Sequence, residues 1–76
     1  MANRFVWVNS MEYRNSEISR VIDDVIHSAR DRRVLKLRFI DGLTYEKIAA
    51  EMDMSVRQIQ NIIYRHEMIV FRGLGL

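Results

Sequence analysis

Apolar residues recur along this chain at spacings of three and four, which is the period of one face of an α-helix. The first stripe lies within residues 16–29 and consists of Ile18, Val21, Ile22, Val25, Ile26 and Ala29. A second stripe, Val34 to Ile40, predicts a further helix from about residue 31 to residue 40. Proline is absent and glycine occurs three times, so few residues would interrupt helices. The pattern therefore predicts an all-α fold.

Turn and capping residues divide the second half of the chain into two more helices. Gly42 is suited to end the second helix in the left-handed conformation, and Thr44 to cap a short third helix over 44–52. Ser55 is suited to cap a fourth helix over 55–70, and Gln58 three residues later would complete a capping box. The inward stripe predicted for this last helix is Ile59, Ile62, Ile63, His66, Ile69 and Val70.

A short helix, a tight turn and a longer capped helix follow one another in the order of a helix-turn-helix motif, whose last helix reads DNA. Ala49 and Ala50 are small enough to let two helices cross closely. Asp53 tolerates the left-handed conformation that such a turn needs. We therefore predict a small helical domain of about four helices that contains a helix-turn-helix.

One face of the fourth helix carries the side chains that a reading helix requires. When the isoleucines point inward, Arg57, Gln60, Asn61 and Tyr64 fall on the opposite face, and Val56 lies beside them in the first turn. Arginine can bind guanine, glutamine or asparagine can pair with adenine, and valine can contact a thymine methyl group. A face that is only solvated would more often carry glutamate and lysine, so the DNA-reading interpretation is favoured.

The chain divides into three parts on this interpretation. Residues 1–15 form an N-terminal arm or an extra helical turn, residues 16–72 form the helical domain, and residues 73–76 form a flexible tail. Two interpretations of the arm stay open. Phe5, Trp7 and Tyr13 either pad the small core or form a surface for a second copy or another partner.

Composition and charge narrow the classes of protein. Cysteine is absent, which excludes a disulfide framework and agrees with a cytoplasmic location. No apolar run is long enough to span a bilayer. Net charge is +2, and five basic residues are concentrated in "RDRRVLKLR", residues 30–38. Arginine suits bidentate contact with phosphate, so this run suggests, but does not by itself establish, contact with a nucleic acid.

Catalytic and metal-binding patterns are missing from the sequence. The two histidines, His27 and His66, have no second ligand at metal-binding spacing. His66 lies on the inward stripe and is expected to be a partly buried histidine with a satisfied partner. No nucleophile elbow or phosphate-cradling glycine loop is present. We expect no enzyme, no metal site and no cofactor.

The segment "RDRRVLKLRFIDGLTYEKIAAEMDMSVRQIQNIIYRHEMIVFR", residues 30–72, resembles region 4, the promoter-reading domain of bacterial sigma factors. The resemblance rests on the charged start, the Val-Leu pair, the Leu-Arg-Phe step, the Gly-Leu-Thr step, Ile48-Ala49 and the Ser55 cap. Related helix-turn-helix folds in response regulators and resolvases share parts of this pattern. The turn glycine common in the family is replaced by Asp53.

The resemblance implies roles for particular residues. The family's base-reading positions fall on Val56, Arg57, Gln60 and Asn61, and the helix geometry adds Tyr64. Phosphate contacts fall on Thr44, with Arg38 and Arg65 as further candidates. Tyr45, next to the Thr44 cap, and Ser55, the cap of the fourth helix, complete the phosphate set.

These observations predict a sequence-specific DNA-binding transcription regulator with double-stranded DNA as its partner and RNA polymerase as a second candidate partner. The chain has no room for the other sigma domains, so we expect a stand-alone protein of phage or mobile-element type. One reading helix covers few base pairs, which favours a homodimer that places two readers on two half-sites. The alternative is a helical protein-interaction module, such as an antirepressor or a polymerase-binding protein, that has no DNA binding of its own.

Overall fold

The structure is a computed structural model, and it describes residues 15–75. Within that range the chain forms four helices and no strand: α1 (Asn15–Val25), α2 (Ala29–Phe39), α3 (Tyr45–Met52) and α4 (Val56–Gly73). The predicted all-α class and the predicted number of helices are confirmed. The predicted arm at 1–15 lies outside the described residues, apart from Asn15.

The boundary between the first two helices differs from the prediction. α1 ends at Val25, and Ala29 belongs to α2 instead of completing the first stripe. The cause is Ser28, whose side chain accepts a hydrogen bond from the Asp31 N–H and caps α2. Arg32 fixes the intervening loop, because its Nη1 donates to the carbonyl oxygens of Ile26 at 3.0 Å and His27 at 2.8 Å.

The turns around α3 have the predicted geometry. Gly42, after the end of α2, has φ 70°, and the Thr44 side chain accepts from the Lys47 N–H at 3.2 Å. Asp53 has φ 54° and ψ 48°, so it adopts the left-handed conformation that few residues other than glycine tolerate. The N–H of Met54 then returns to the Ala49 carbonyl at 2.9 Å, which closes the helix end.

The start of α4 is held by the capping box. The Gln58 N–H donates to Ser55 Oγ at 3.1 Å, and the Ser55 N–H donates to Gln58 Oε1 at 2.9 Å. These two bonds satisfy backbone groups that no helical partner reaches. They fix where the helix begins and so fix the position of each later residue along its axis.

The core lies where α4 crosses the other three helices, since α4 contacts α1, α2 and α3. Burying apolar surface contributes roughly 25 cal/mol per Å², so the side chains buried at this crossing stabilise the fold. The buried hydrophobic side chains are Ile18, Val21, Ile22, Ile26, Val34, Leu35, Phe39, Ile48, Ala49, Ile59, Ile62, Ile63, Val70 and Phe71.

The last turns of α4 differ from the predicted stripe. Ile69 was expected to point inward, but 44% of its surface is exposed. Phe71 is buried instead, with its ring 5.6 Å from that of Phe39 in an edge-to-face arrangement. An aromatic ring buries more area than an isoleucine, and α2 offers Phe39 as its partner. In this orientation α4 turns Phe71, and not Ile69, toward the core.

The end of α4 lies close to α1. The helix continues to Gly73, three residues beyond the predicted end at Val70, and Leu74 is half-buried against the core. A Cβ atom added at Gly73 would overlap the side chain of Val21, so the absence of a side chain allows this close approach. The predicted tail at 73–76 therefore starts in the last helical turn, and its flexibility stays a prediction.

Candidate nucleic-acid interface

The first three turns of α4 present the predicted reading face. Arg57 and Asn61 are exposed, Gln60 is half-buried, and Tyr64 keeps 55% of its surface exposed. Within residues 15–75, the side chains of Arg57, Gln60 and Asn61 make no hydrogen bond or ion pair. Side chains with donors and acceptors that the fold does not use are available to a ligand.

Val56 lies at the edge of this face rather than fully on it. Its side chain is half-buried and packs against the hydrophobic core. Part of its surface therefore supports the start of α4, and the remainder is accessible beside Arg57. A half-buried valine is rigid, which suits a methyl contact in a groove.

The two cap residues retain a hydrogen-bond donor. Thr44 and Ser55 are both exposed, and each hydroxyl oxygen accepts one backbone N–H from its own helix. A hydroxyl that accepts still has a proton to donate. Both residues also lie at helix N-termini, where the helix dipole favours a negative charge. They are therefore suited to phosphate contact, as predicted.

Three helices bring Arg38, Tyr45 and Tyr64 together. The Tyr45 and Tyr64 rings are 6.4 Å apart and perpendicular, and the Arg38 guanidinium lies 4.6 Å from the centre of the Tyr45 ring. Arg38 Nη1 also donates to the Leu43 carbonyl at 2.9 Å. The first residue of α3 therefore lies beside the third turn of α4, which joins a predicted phosphate-contacting residue to a predicted base-reading residue. Sequence spacing did not indicate this contact.

The environment of Tyr45 alters its acidity. Burial raises the pKa of Tyr45, and a side-chain hydrogen bond with Tyr64 raises it further, although the positive charge of Arg38 acts in the opposite direction. Tyr45 therefore stays a neutral phenol at neutral pH. A neutral phenol retains one proton, which it can donate either to Tyr64 or to an anion that replaces Tyr64 as the acceptor.

The basic run of residues 30–38 is engaged within the fold. Arg30 pairs with Asp31, Arg33 with Glu51, and both Arg32 and Lys36 with Asp23. The shortest of these contacts joins Lys36 Nζ to Asp23 Oδ1 at 2.7 Å. The run is therefore mainly a set of internal ion pairs, in contrast to the phosphate-binding cluster that its sequence suggested. Arg38, the remaining cation of the run, has the internal contacts given above.

A hydrogen bond between Asp31 and His66 joins α2 to α4, and only His66 could be singled out from the sequence. His66 Nε2 lies 3.0 Å from Asp31 Oδ2, and Asp31 is 5% exposed. Since a carboxylate only accepts, Nε2 carries the donated proton. Burial by itself would raise the pKa of Asp31, but hydrogen bonds and charge from His66 and Arg30 outweigh it and lower this pKa below its usual range.

The expectation of a satisfied, partly buried His66 is therefore confirmed. Asp31 was read as one charge in a basic run. The signal that would have revealed its role is its position three residues after Ser28, in the first turn of α2, where a carboxylate is also stabilised by the helix dipole.

Residues 15–75 contain no group of three or more His, Cys, Asp or Glu side chains arranged to hold a metal ion. None of the helices found there is both long and apolar enough to cross a membrane.

Comparisons with known proteins point to one family. A family model described as Sigma-70, region 4 matches residues 28–65, which include every predicted base-reading and phosphate-contacting residue. A curated relative, the ECF RNA polymerase sigma-E factor of Haemophilus influenzae, is 38% identical over 61 residues. The alignment covers 76% of this chain and 32% of the relative, so the chain spans about a third of the relative's length. No solved structure gives a significant match.

Proposed function

Because this chain belongs to the Sigma-70, region 4 family, we propose that it binds specific sequences of duplex DNA through the exposed face of α4. The family consists of DNA-binding, transcription-related helix-turn-helix domains. They are components of transcription factors and not enzymes. Recognition of a particular sequence, and the residues that carry it, are the new parts of the proposal.

The observation that carries the proposal is that the first turns of α4 have a fixed start and polar side chains that the fold does not use. The capping box fixes the start of the helix, and Arg57, Gln60 and Asn61 project from it with no partner among the described residues. Their side chains have the donors and acceptors that distinguish base pairs in the major groove. Val56 and Tyr64 flank them and add apolar contact.

Phosphate contacts on either side would orient this helix. Thr44, Tyr45 and Ser55 offer hydroxyl donors at two helix N-termini, and Arg65 offers an exposed cation one residue after Tyr64. Arg38 is the further phosphate-contacting candidate that the family pattern implies. Such contacts set position and orientation, whereas base contacts set the sequence.

RNA polymerase is the second proposed partner. The relative is by name an RNA polymerase sigma factor, and the family implies interaction with polymerase as well as with DNA. In this proposal the polymerase supplies affinity that one short reading helix does not. Pull-down of purified core polymerase by the tagged chain, with an Arg57→Ala variant as control, tests it. The variant should still bind polymerase after losing DNA preference.

Selection of bound duplexes from a random pool, followed by mobility shift at two salt concentrations, tests DNA binding. We expect an enriched sequence whose affinity falls steeply with salt, because phosphate contacts release counterions. Binding of all duplexes with equal affinity would contradict sequence recognition. Absence of any shift at low salt would contradict DNA binding altogether.

The second candidate function is a helical protein-interaction module. The internal pairing of the basic run favours it, since few cations remain for non-specific attraction to DNA. The same mobility shift separates the two functions. A module of this kind would bind polymerase and would leave every duplex unshifted.

The homodimer stays a prediction. Its proposed contact involves the N-terminal aromatic residues, which lie outside the described part of the chain. Light scattering at micromolar concentration decides it: a mass near 9.1 kDa would indicate a monomer, and twice that mass a dimer. Replacement of Trp7 by serine should return a dimer to the monomer mass.

A further inference from the structure

The apolar surface of α4 does not by itself define how the helix is rotated. Ile62 and Ile69 lie on one side of His66, and Ile63 and Val70 lie on the other, each pair within about 60° of it around the axis. The stripe read from the sequence is therefore centred on His66. In the structure Ile62, Ile63 and Val70 are buried, but Ile69 is 44% exposed.

An alternative rotation of α4 would exchange one apolar contact for another. Turning the helix by roughly one sixth of a turn would carry Ile69 toward the core and Phe71 away from it. Phe71 buries somewhat more area than Ile69 would, but both side chains are large and apolar, so area burial alone favours the observed rotation only weakly. Something more specific has to select the observed one.

The Asp31–His66 pair has the properties needed for that selection. It lies at the centre of the apolar arc, and its side chains are 7% and 22% exposed. In any other rotation His66 would leave Asp31 with only the mostly exposed Arg30 as its partner, and breaking a contact to a buried carboxylate is unfavourable. Hydrogen bonds have strict distance and angle requirements, whereas apolar contact has none. A single buried polar contact is known to fix register in helical assemblies.

We propose that Asp31 and His66 are positioning residues that fix the rotation of α4 and so aim its reading face. This inference rests on the proposed function, because it concerns how that face meets DNA. Side chains lie roughly 5 Å from the helix axis, so a rotation by one sixth of a turn would move Arg57 and Asn61 by about 5 Å. A base contact tolerates a small fraction of that displacement.

The proximity of Tyr45 to Tyr64 gives a measure of the rotation that needs no DNA. Tyr64 lies on α4, and its ring contacts Tyr45 at the start of α3. A rotated α4 would separate the rings. The nuclear Overhauser effect between them would disappear, and the pKa of Tyr45 would fall toward its ordinary value as the hydrogen bond to Tyr64 was lost.

The deciding variant is Asp31→Leu combined with His66→Leu, because replacing a buried ion pair by apolar residues often preserves stability. The control is Arg33→Gln combined with Glu51→Gln, which removes an exposed pair between α2 and α3. We expect the leucine variant to remain helical and to melt cooperatively. It should lose the Tyr45–Tyr64 signal and about tenfold in preference for its selected DNA over a scrambled duplex. The control variant should keep both the Tyr45–Tyr64 signal and the DNA preference.

Retention of either the tyrosine signal or the DNA preference by the folded leucine variant would overturn the inference. If the leucine variant fails to fold, His66→Met replaces it and is judged by the same two measurements. The single variant Asp31→Asn keeps an acceptor for His66 and should therefore retain both the tyrosine signal and the DNA preference. If the unaltered chain shows no DNA preference, the proposed function fails, while the tyrosine signal still decides whether the pair fixes the rotation.

Discussion

The basic run of α2 and the exposed face of α4 show that charge density along a sequence is a poor guide to a binding surface. The run contains five cations in nine residues, yet four of them are in ion pairs and the fifth, Arg38, lies against Tyr45 and the Leu43 carbonyl. The face of α4 has one cation in its first two turns, Arg57, and that side chain has no partner within residues 15–75.

The difference arises from what the neighbouring helices present. α2 packs beside α1 and α3, which supply Asp23 and Glu51 to its cations. On α4, the side chains of Arg57, Gln60 and Asn61 meet no such carboxylate within residues 15–75, and Tyr64 of the reading face contacts another helix through Tyr45 of α3. A cation near a carboxylate stabilises the fold modestly and offers less to a phosphate, whereas an unpaired polar side chain on a fixed helix is ready to bind.

The largest effect is expected for Asp31, the buried carboxylate of α2 that contacts His66 on α4 and so joins the two regions. Replacing Asp31 by alanine removes the partner of His66 and should lower the free energy of unfolding by about 3 kcal/mol, the lower part of the range for breaking a buried pair. Urea denaturation at pH 7 measures this. A change no larger than that of Arg33→Ala would show that the buried pair stabilises no more than an exposed one.

The pH dependence of stability offers an independent check of the same pair. The pKa of Asp31 is lower in the folded than in the unfolded chain, so its stabilising effect is complete above the unfolded pKa. It is lost as pH falls through the folded pKa, which means below about pH 4. Stability should therefore fall more steeply between pH 5 and about 3 in the unaltered chain than in Asp31→Asn. Parallel curves would contradict the lowered pKa.

The next effect separates the two regions by their role in DNA binding. Replacing Arg57 by alanine should weaken binding to the selected sequence by about 1–3 kcal/mol and relax the preference at one base position. Replacing Arg33, which is also exposed but is in an ion pair with Glu51, should leave both the affinity and the base preference unchanged. Competition mobility shifts with single-base variants of the selected duplex measure the affinity and the base preference of each protein variant. An equal loss in both variants would mean that exposure alone determines the effect.

Most of the fold could be predicted because its signals are local. The Ser55 cap with Gln58, the left-handed Asp53 and the period of the apolar residues each depend on a few neighbouring positions. The exposed face of α4 followed from the same period. The locations of Thr44 and Ser55 at helix starts followed from capping chemistry.

The features that could not be predicted depend on contacts between distant segments. Ile69 is exposed, and Phe71 instead packs on Phe39 of another helix. Asp31 meets His66 across 35 positions of sequence, and Tyr45 meets Tyr64 only because α3 crosses α4. A periodicity gives the axis of the apolar stripe to within a fraction of a turn, and tertiary partners decide the remainder.

A smaller effect should distinguish phosphate contact from base contact within the interface. Replacing Arg65 by glutamine should weaken binding to all duplexes alike and reduce the slope of log affinity against log salt by about one unit. Arg65 is exposed on α4, and no ion pair engages it among residues 15–75. Titrations at four salt concentrations on selected and scrambled DNA measure the slope. A change in base preference with an unaltered slope would assign Arg65 to the bases instead.

The smallest effect is expected for Lys36, and it is the sharpest test of the opening comparison. Lys36 and Arg32 both pair with Asp23, so replacing Lys36 by methionine leaves Asp23 a second cation at 3.9 Å. Exposed pairs contribute roughly 0–1 kcal/mol, and here the remaining partner limits the loss in unfolding free energy to about 0.5 kcal/mol. Methionine keeps the apolar length of the side chain. The salt dependence of DNA binding should be unchanged, because the ammonium group is held by a carboxylate on α1 and not by a phosphate. A slope reduced by one unit, as predicted for Arg65, would show that the basic run leaves its internal partners when DNA is present.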